Sequence, residues 1–328
     1  MKVPVAVLVN QNSASASEIV AGAMKHLDRG VVIGDTTFGK GSVQMLFDIN
    51  APVKLGSKNG DDKLGLKLTT AQYLTAGDIS IQGVGVTPDI ELDRLIIQKA
   101  GDESRIYLQP SSHRRQESDY EWHLDNPTAT KAEQPMERVS FLYEAPKAQE
   151  AQAEKAANED EEEVVDEEST AAEDDEDYVQ YEKLNVDFAI EFARDFLAQA
   201  KSSRRTQLVQ QSKAYLEQVR AEQDSKVAEA LTKLGVDWTA GAGTQPVARL
   251  TATLEAVDIK GKAAAGDRLK LRGIVKNVGK TTAYRVRAVL KSEESLFDEN
   301  EMVFGKIEAG QSKSYELNVR LSKSMSSR

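Results

Sequence analysis

The chain has 328 residues, room for two or three domains, with 42 Lys or Arg against 53 Asp or Glu and a net charge of −11. That acidity is local: residues 150–177 hold fifteen Asp or Glu and one Lys, which leaves the remainder at +3. The absence of cysteine excludes thiol nucleophiles, disulfides and cysteine metal sites, and the lack of a basic, aromatic-interleaved stripe argues against nucleic acid as a partner.

Met1-Lys2-Val3-Pro4 leads straight into Val5–Val9, an apolar run of the length of a strand covered on both faces. A chain that begins this way reads as starting inside a fold, with an N-terminal portion and any targeting signal lying upstream. Ser17 to Asp28 has helical spacing, with Ile19, Val20, Ala23, Met24 and Leu27 on one face and Gly30 as the stop. VVIG at 31–34 is a second buried strand, so the region reads as a βαβ-like unit of an α/β fold. Further strand-like pieces are Ser42–Phe47, Gly65–Thr70 and Ser80–Ile81, ending at Val86-Thr87-Pro88-Asp89-Ile90.

Residues 99–149 are polar and without period, and the acidic run is too charged to bury a core, so 99–180 is expected as a linker, disordered in its acidic part. Residues 181–240 read as helical: Phe188, Phe192 and Phe196 recur every four positions, and Leu208, Tyr215, Leu216, Val219, Val227, Leu231 and Leu234 mark a second, longer helix stopped by Gly235. The two are expected to pack as an antiparallel pair. From 241 the period becomes two: Leu250, Ala252 and Leu254; Leu269, Leu271 and Val275; Val286, Ala288 and Leu290; Tyr315, Leu317, Val319 and Leu321, with turns between. This predicts a small β-sandwich at 241–328. "GDRLKLRGIVKNVGKTTAYRVRAVL" resembles the immunoglobulin-like modules of bacterial envelope proteins, which implies binding or spacing, with an envelope protein as partner. No apolar run approaches the ~20 residues of a membrane span. His26, His113 and His123 lie in no metal-ligand spacing, so neither a metal nor a cofactor is expected.

Two stretches of the first region carry chemistry. In "NSASASEIV" three serines stand at a strand-to-helix turn, where a hydroxyl meets the positive end of a helix dipole and unpaired backbone amides. The same residues support a plainer reading, because Ser15-x-x-Glu18 is a capping-box spacing. The second stretch is "GDTTFGKGSVQ". Gly34-x-x-x-x-Gly39-Lys40 begins like a phosphate-binding loop, but Gly41 stands where that loop needs Ser or Thr, and a strand follows where it needs a helix. A nucleotide-binding module is therefore the weakest reading. Lys40 is either a solvated loop residue or a base: a serine hydroxyl needs one, and a lysine serves when burial keeps it neutral.

"SASASEIVAGAMKHLDRGVVIGDTTFGKGSVQ" resembles the carboxy-terminal processing, or tail-specific, proteases, and the likeness runs from about Val5 to Leu92. It implies Ser15 as nucleophile, Lys40 as general base, Gln44 as the residue that orients the lysine, and the Ala16 amide as one oxyanion-hole donor. Ser13 and Ser17 take supporting roles. The fold implied for 1–98 is the C-terminal part of an α/β crotonase-like core, which the family joins to a PDZ domain. The implied substrates are proteins or peptides with apolar C-termini, cut in the periplasm, thylakoid lumen or cell envelope. The family's upstream Asp-Leu-Arg and Gly-Gly segment, source of the other oxyanion donor, and its PDZ domain are not in this sequence. Ala71-Gln72-Tyr73-Leu74-Thr75-Ala76-Gly77 lacks the usual proline and second aromatic. A truncated protease is expected; the alternative is a non-catalytic envelope scaffold that works through its β-sandwich.

Overall fold

A computed structural model describes residues 3–49, 64–100, 103–108, 116–120, 124, 133–143, 187–242, 248–257, 264, 266–292, 294 and 296–321. The acidic part of the expected 99–180 linker, His113 and His123 lie outside the described residues, whereas its polar part contributes the strands Glu103–Tyr107 and Glu137–Tyr143 to a sheet. Contacts group the chain into two units: Met1–Asp93 with His113–Val139 and Asp174–Glu217, and Arg94–Ser112 with Ser140–Glu173 and Gln218–Arg328. This grouping cuts across the sequential division at 98, 180 and 240.

In the first unit β1 (Ala6–Val9), α1 (Ala16–His26) and β2 (Val31–Gly34) are strand, helix and strand, with β1 and β2 parallel from Ala6 opposite Val31 to Val9 opposite Gly34. β3 (Ser42–Ile49) and β4 (Leu64–Gln72) form a separate antiparallel hairpin, and β5 (Leu74–Thr75) pairs with β6 (Ile79–Ser80). β7 (Ile90–Ala100) then adds to β2 in parallel through Ile33 with Ile90 and Gly34 with Glu91. All four residues of β2, the inner strand of the three, are buried, whereas Leu8 on the edge strand β1 is 41% exposed. The run at 5–9 is thus not covered on both faces.

The buried side of α1 differs from its apolar stripe. Glu18, Ala21, Gly22 and Lys25 face inward, while Val20 and Leu27 are 60% and 62% exposed. Helical spacing finds the apolar residues but cannot know that two charged side chains have partners inside. Gly22 lies so close to β5 that a Cβ there would stand 2.5 Å from Thr75 Cγ2.

Helices from the expected pair also serve this sheet, and the two segments touch: the Phe192 and Tyr215 rings lie 5.6 Å apart and the Tyr215 hydroxyl donates to Phe192 O at 3.3 Å. α2 (Phe188–Ala198) packs on β1 and β2, and α3 (Arg205–Gln211) on β2. Phe192, Ala193 and Phe196 form the buried side of α2, with the Phe192 and Phe196 rings stacked at 6.3 Å. Arg205 Nη1 donates to Asp89 Oδ1 at 2.6 Å, and Asp28 Oδ1 accepts the Thr206 amide at 3.1 Å. The long second helix of the sequence reading is broken at Ser212, whose hydroxyl donates back to the Leu208 carbonyl at 2.9 Å; such back-bonding competes with the helix ladder.

α4 (Lys213–Lys233) follows and carries the chain into the second unit. It ends where Gly235, at φ 77°, donates to Thr232 O at 2.9 Å while Val236 donates to Leu231 O at 2.9 Å, the paired bonds of a Schellman cap. Val227, Leu231 and Trp238 share a core with Leu95, Ile106 and Val303. β8 (Glu103–Tyr107) is antiparallel to β7, with Ile96 opposite Tyr107 and Ile97 opposite Ile106, and β9 (Glu137–Tyr143) also pairs with β7.

β10 (Leu250–Val257), β11 (Arg268–Asn277) and β14 (Ser312–Arg320) make an antiparallel sheet in the order β10-β11-β14; β12 (Ala283–Val289) and β13 (Glu301–Ile307) make a second, and the two share a core of Val275, Ala283, Val286, Met302, Phe304 and Ile307. Four of these strands lie on the segments marked by period two. β13 escaped that reading because it is buried at six of its seven positions and so does not alternate. On the edge strand β10 the supposedly inward Leu250 and Leu254 are 40% and 52% exposed.

A candidate serine–lysine site

β1 delivers the chain to a tight turn at residues 10–15, where the Ser13 amide donates to Asn10 O at 2.9 Å and the Asn10 amide to Ser13 Oγ at 3.1 Å. Ser17 is also tied up locally, its hydroxyl donating to Ala14 O at 2.8 Å. Both serines have structural roles in the turn. Ser15 stands apart: as the N-cap of α1 it has φ 58° and ψ −120°, a left-handed conformation that costs an ordinary residue about 1–3 kcal/mol and clusters at functional sites. Ala16 opens the helix, placing its amide among the first donors that a helix leaves unpaired.

Ser15 and Glu18 form the capping-box pair expected from their spacing. The Ser15 amide donates to Glu18 Oε2 at 2.8 Å, whereas the Ser15 hydroxyl faces the helix without meeting cap hydrogen-bond geometry. Glu18, completely buried, reaches well beyond its own helix. Its Oε2 also accepts the Lys40 amide at 2.9 Å, and its Oε1 accepts the Gly39 amide at 2.7 Å and the Thr37 hydroxyl. Thr37 Oγ1 in turn accepts the Val86 amide at 2.7 Å. One carboxylate therefore fastens the serine turn to the lysine loop, with the Ser15 and Lys40 amides on the same oxygen. Gly39, at φ 93°, lets the loop pass the backbone of Val84 and Gly85, where a Cβ would stand 2.9 Å from Gly85 N. Phe38 N–H bonds Ser13 O at 3.0 Å and closes the loop over the turn.

The structure thus brings the backbones of Ser15, Gly39 and Lys40 together. Among the described residues no hydrogen bond joins Ser15 Oγ to Lys40 Nζ. Gln44 is exposed on β3 at a bulge, where Val43 pairs with Ala71 and Gln44 with Thr69; no hydrogen bond to Lys40 places it. Sequence reasoning took Glu18 as half of a cap and missed its second task. The signal was a carboxylate on an inward face beside Ala21 and Gly22, residues too small to fill that space.

The C-terminal end of α1 forms a second charged corner. Lys25 donates to Thr87 O at 2.7 Å and pairs with Glu133, and His26 Nε2 lies 3.6 Å from Glu133 Oε1. The Thr75 hydroxyl donates to Ile79 O at 3.1 Å, so its oxygen accepts from His26 Nδ1 at 2.9 Å. Burial pushes the His26 pKa below its ordinary value against the opposing pull of Glu133. Burial pulls the Glu133 carboxyl upward, but the hydrogen bond and charge of Lys25 outweigh it and hold the group below the usual range. Among the described residues no cluster of His, Asp or Glu could hold a metal ion.

Residues 1–92, which hold the serine turn and the lysine loop, match Peptidase family S41. The "Carboxy-terminal-processing protease" of Bartonella bacilliformis is 48% identical over 96 residues, covering 29% of this chain and 20% of that protein. The "C-terminal processing peptidase, chloroplastic" of Tetradesmus obliquus is 41% identical over 90 residues, 27% of this chain and 17% of that one. A solved "photosystem II D1 C-terminal processing protease" is 41% identical, covering 27% of this chain and 20% of that chain at a TM-score of 0.23. The chain spans about a fifth of the length of the curated relatives it matches. The family likeness read from the two motifs holds over this stretch.

Proposed function

We propose that residues 1–92 form part of a Ser–Lys endopeptidase site that cleaves proteins or peptides near apolar C-termini, in the periplasm or cell envelope. Ser15 Oγ attacks the scissile carbonyl carbon as its proton passes to the neutral amine of Lys40. The oxyanion is met by the Ala16 amide. Collapse of the tetrahedral intermediate breaks the C–N bond, and the lysine returns the proton to the leaving amine. Water, deprotonated by the same amine, hydrolyses the acyl ester and frees Ser15. Gln44 orients Lys40 during the cycle. The observation that carries this reading is the pair of amides, Ser15 and Lys40, sharing Glu18 Oε2 at 2.8 and 2.9 Å. The two-sheet C-terminal region is assigned an immunoglobulin-like binding role of its own.

The test is cleavage of an apolar-ended peptide by the full chain, together with labelling by a serine-directed phosphonate. Ser15→Ala is expected to abolish both and Lys40→Ala to lower cleavage by about 10⁴–10⁶-fold, the scale of losing a triad member, with labelling lowered as well. Retention of either signal in Ser15→Ala overturns the assignment. A wild-type chain that is neither labelled nor active favours the scaffold alternative.

A further inference from the structure

Lys40 is gripped from a second side, by a group that neither the serine–lysine motif nor the capping box contains. Gly41 N–H reaches back to Gly39 O at 3.2 Å, which makes Lys40 the central residue of a three-residue turn. The same N–H donates to Gln82 Oε1 at 2.9 Å. Gln82 is 1% exposed, and its side-chain amide is oriented from both ends, since Nε2 donates to Leu124 O at 3.1 Å. Next in sequence, the Gly83 amide donates to Gly39 O at 2.9 Å. Gly41 lies flat against this segment: a Cβ added there would stand 2.9 Å from Gln82 N. The backbone groups on both sides of Lys40 are thus held by residues 82 and 83, while its own amide is held by Glu18.

We propose that Gln82 is a positioning residue for Lys40, fixing through the Gly41 amide the direction in which the lysine side chain leaves its turn. This rests on the reading of Lys40 as the base. A turn centred on one residue has few ways to stay closed; here its single closing N–H is shared with Gln82 Oε1, the shorter of its two bonds, while the Gly83 amide holds the other end at Gly39 O. A buried glutamine that only fills space would need neither this acceptor geometry nor a glycine pressed against it.

The test uses the full chain and two variants. Gln82→Met removes both side-chain hydrogen bonds; Gln82→Glu keeps the acceptor for Gly41 and loses the donor to Leu124. Acetylation of Lys40 by limiting acetic anhydride at mildly alkaline pH is read by mass spectrometry against the exposed Lys67. Gln82→Met is expected to change the Lys40-to-Lys67 ratio by about fivefold, the population shift governed by one ordinary hydrogen bond, while Gln82→Glu stays near wild type. An unchanged ratio in Gln82→Met, or equal changes in the two variants, overturns the proposal. Should Gln82→Met fail to fold, amide exchange decides: Gly41 is expected to be protected in both wild type and Gln82→Glu, and rapid exchange at wild-type Gly41 overturns it. Cleavage by Ser15→Ala would overturn the peptidase reading and leave this ratio untouched.

Discussion

The turn-and-loop region at residues 13–41 and the two-sheet region at 250–320 hold themselves together in opposite ways. The first is fastened by a buried carboxylate with four donors from three places in the sequence, and apolar residues on its helix remain in water. The second closes around Val275, Val286, Met302, Phe304 and Ile307, and its buried carboxylate, Glu301, is paired with Arg287 at 3.1 Å. Apolar burial is forgiving of shape and additive over area, whereas a hydrogen-bonded charge in a dry interior is all or nothing. The contrast predicts which substitutions each region tolerates.

The largest effect is expected at Glu18. Glu18→Gln gives two of the four donors an NH₂ group to face, and roughly 2–6 kcal/mol is lost, about 1–3 for each buried donor left unpaired. Hydrogen exchange at the Ser15, Gly39 and Lys40 amides reads it, and retained protection at all three would break the contrast. In the two-sheet region, Ile307→Val removes one buried methyl and is expected to cost about 1 kcal/mol, read as a shift in guanidinium midpoint. A loss as large as that of Glu18→Gln would show that this core, too, is held by a single critical contact.

The charged corner at the end of α1 gives a smaller effect with a defined sign. The His26 pKa is lowered in the folded chain, so its contribution is present above the ordinary value of 6.5 and fades as pH falls below it. Glu133 is also lowered, so its contribution is present above 4.5 and fades on further acidification. Melting followed from neutral to acid should therefore decline in two stages, and His26→Gln should flatten the first while leaving the second. A variant that keeps both stages assigns the first to another group. Smallest of all, Leu27→Glu is expected to shift stability by no more than about 0.5 kcal/mol, because Leu27 is 62% exposed despite its place on the apolar stripe.

Legibility followed the same divide. Strands β1, β2, β11, β12 and β14 could be read because apolar runs and alternation report burial directly. Strand β13 could not, since continuous burial erases the period, and β10 misled because an edge strand keeps its pattern without its cover. In the candidate site the residue types at 15 and 40 were visible from their motifs. The tasks of Glu18 and Gln82 were not: a long-range hydrogen bond leaves no period behind, and its two ends lie 22 residues apart for Glu18 and Lys40 and 41 for Gly41 and Gln82. Arg205 went unread for the same reason, its partner Asp89 lying 116 residues away.

The shared oxygen of Glu18 has a consequence for building as well as for chemistry. Transplanting a serine and a lysine onto another scaffold at the right separation would copy the actors and leave out the joint. The serine turn and the lysine loop here are not two parts adjusted to each other; they are clipped to a third, and neither can be set correctly while the other hangs free. Anyone redesigning this segment would therefore begin with Glu18, the buried acid that holds both.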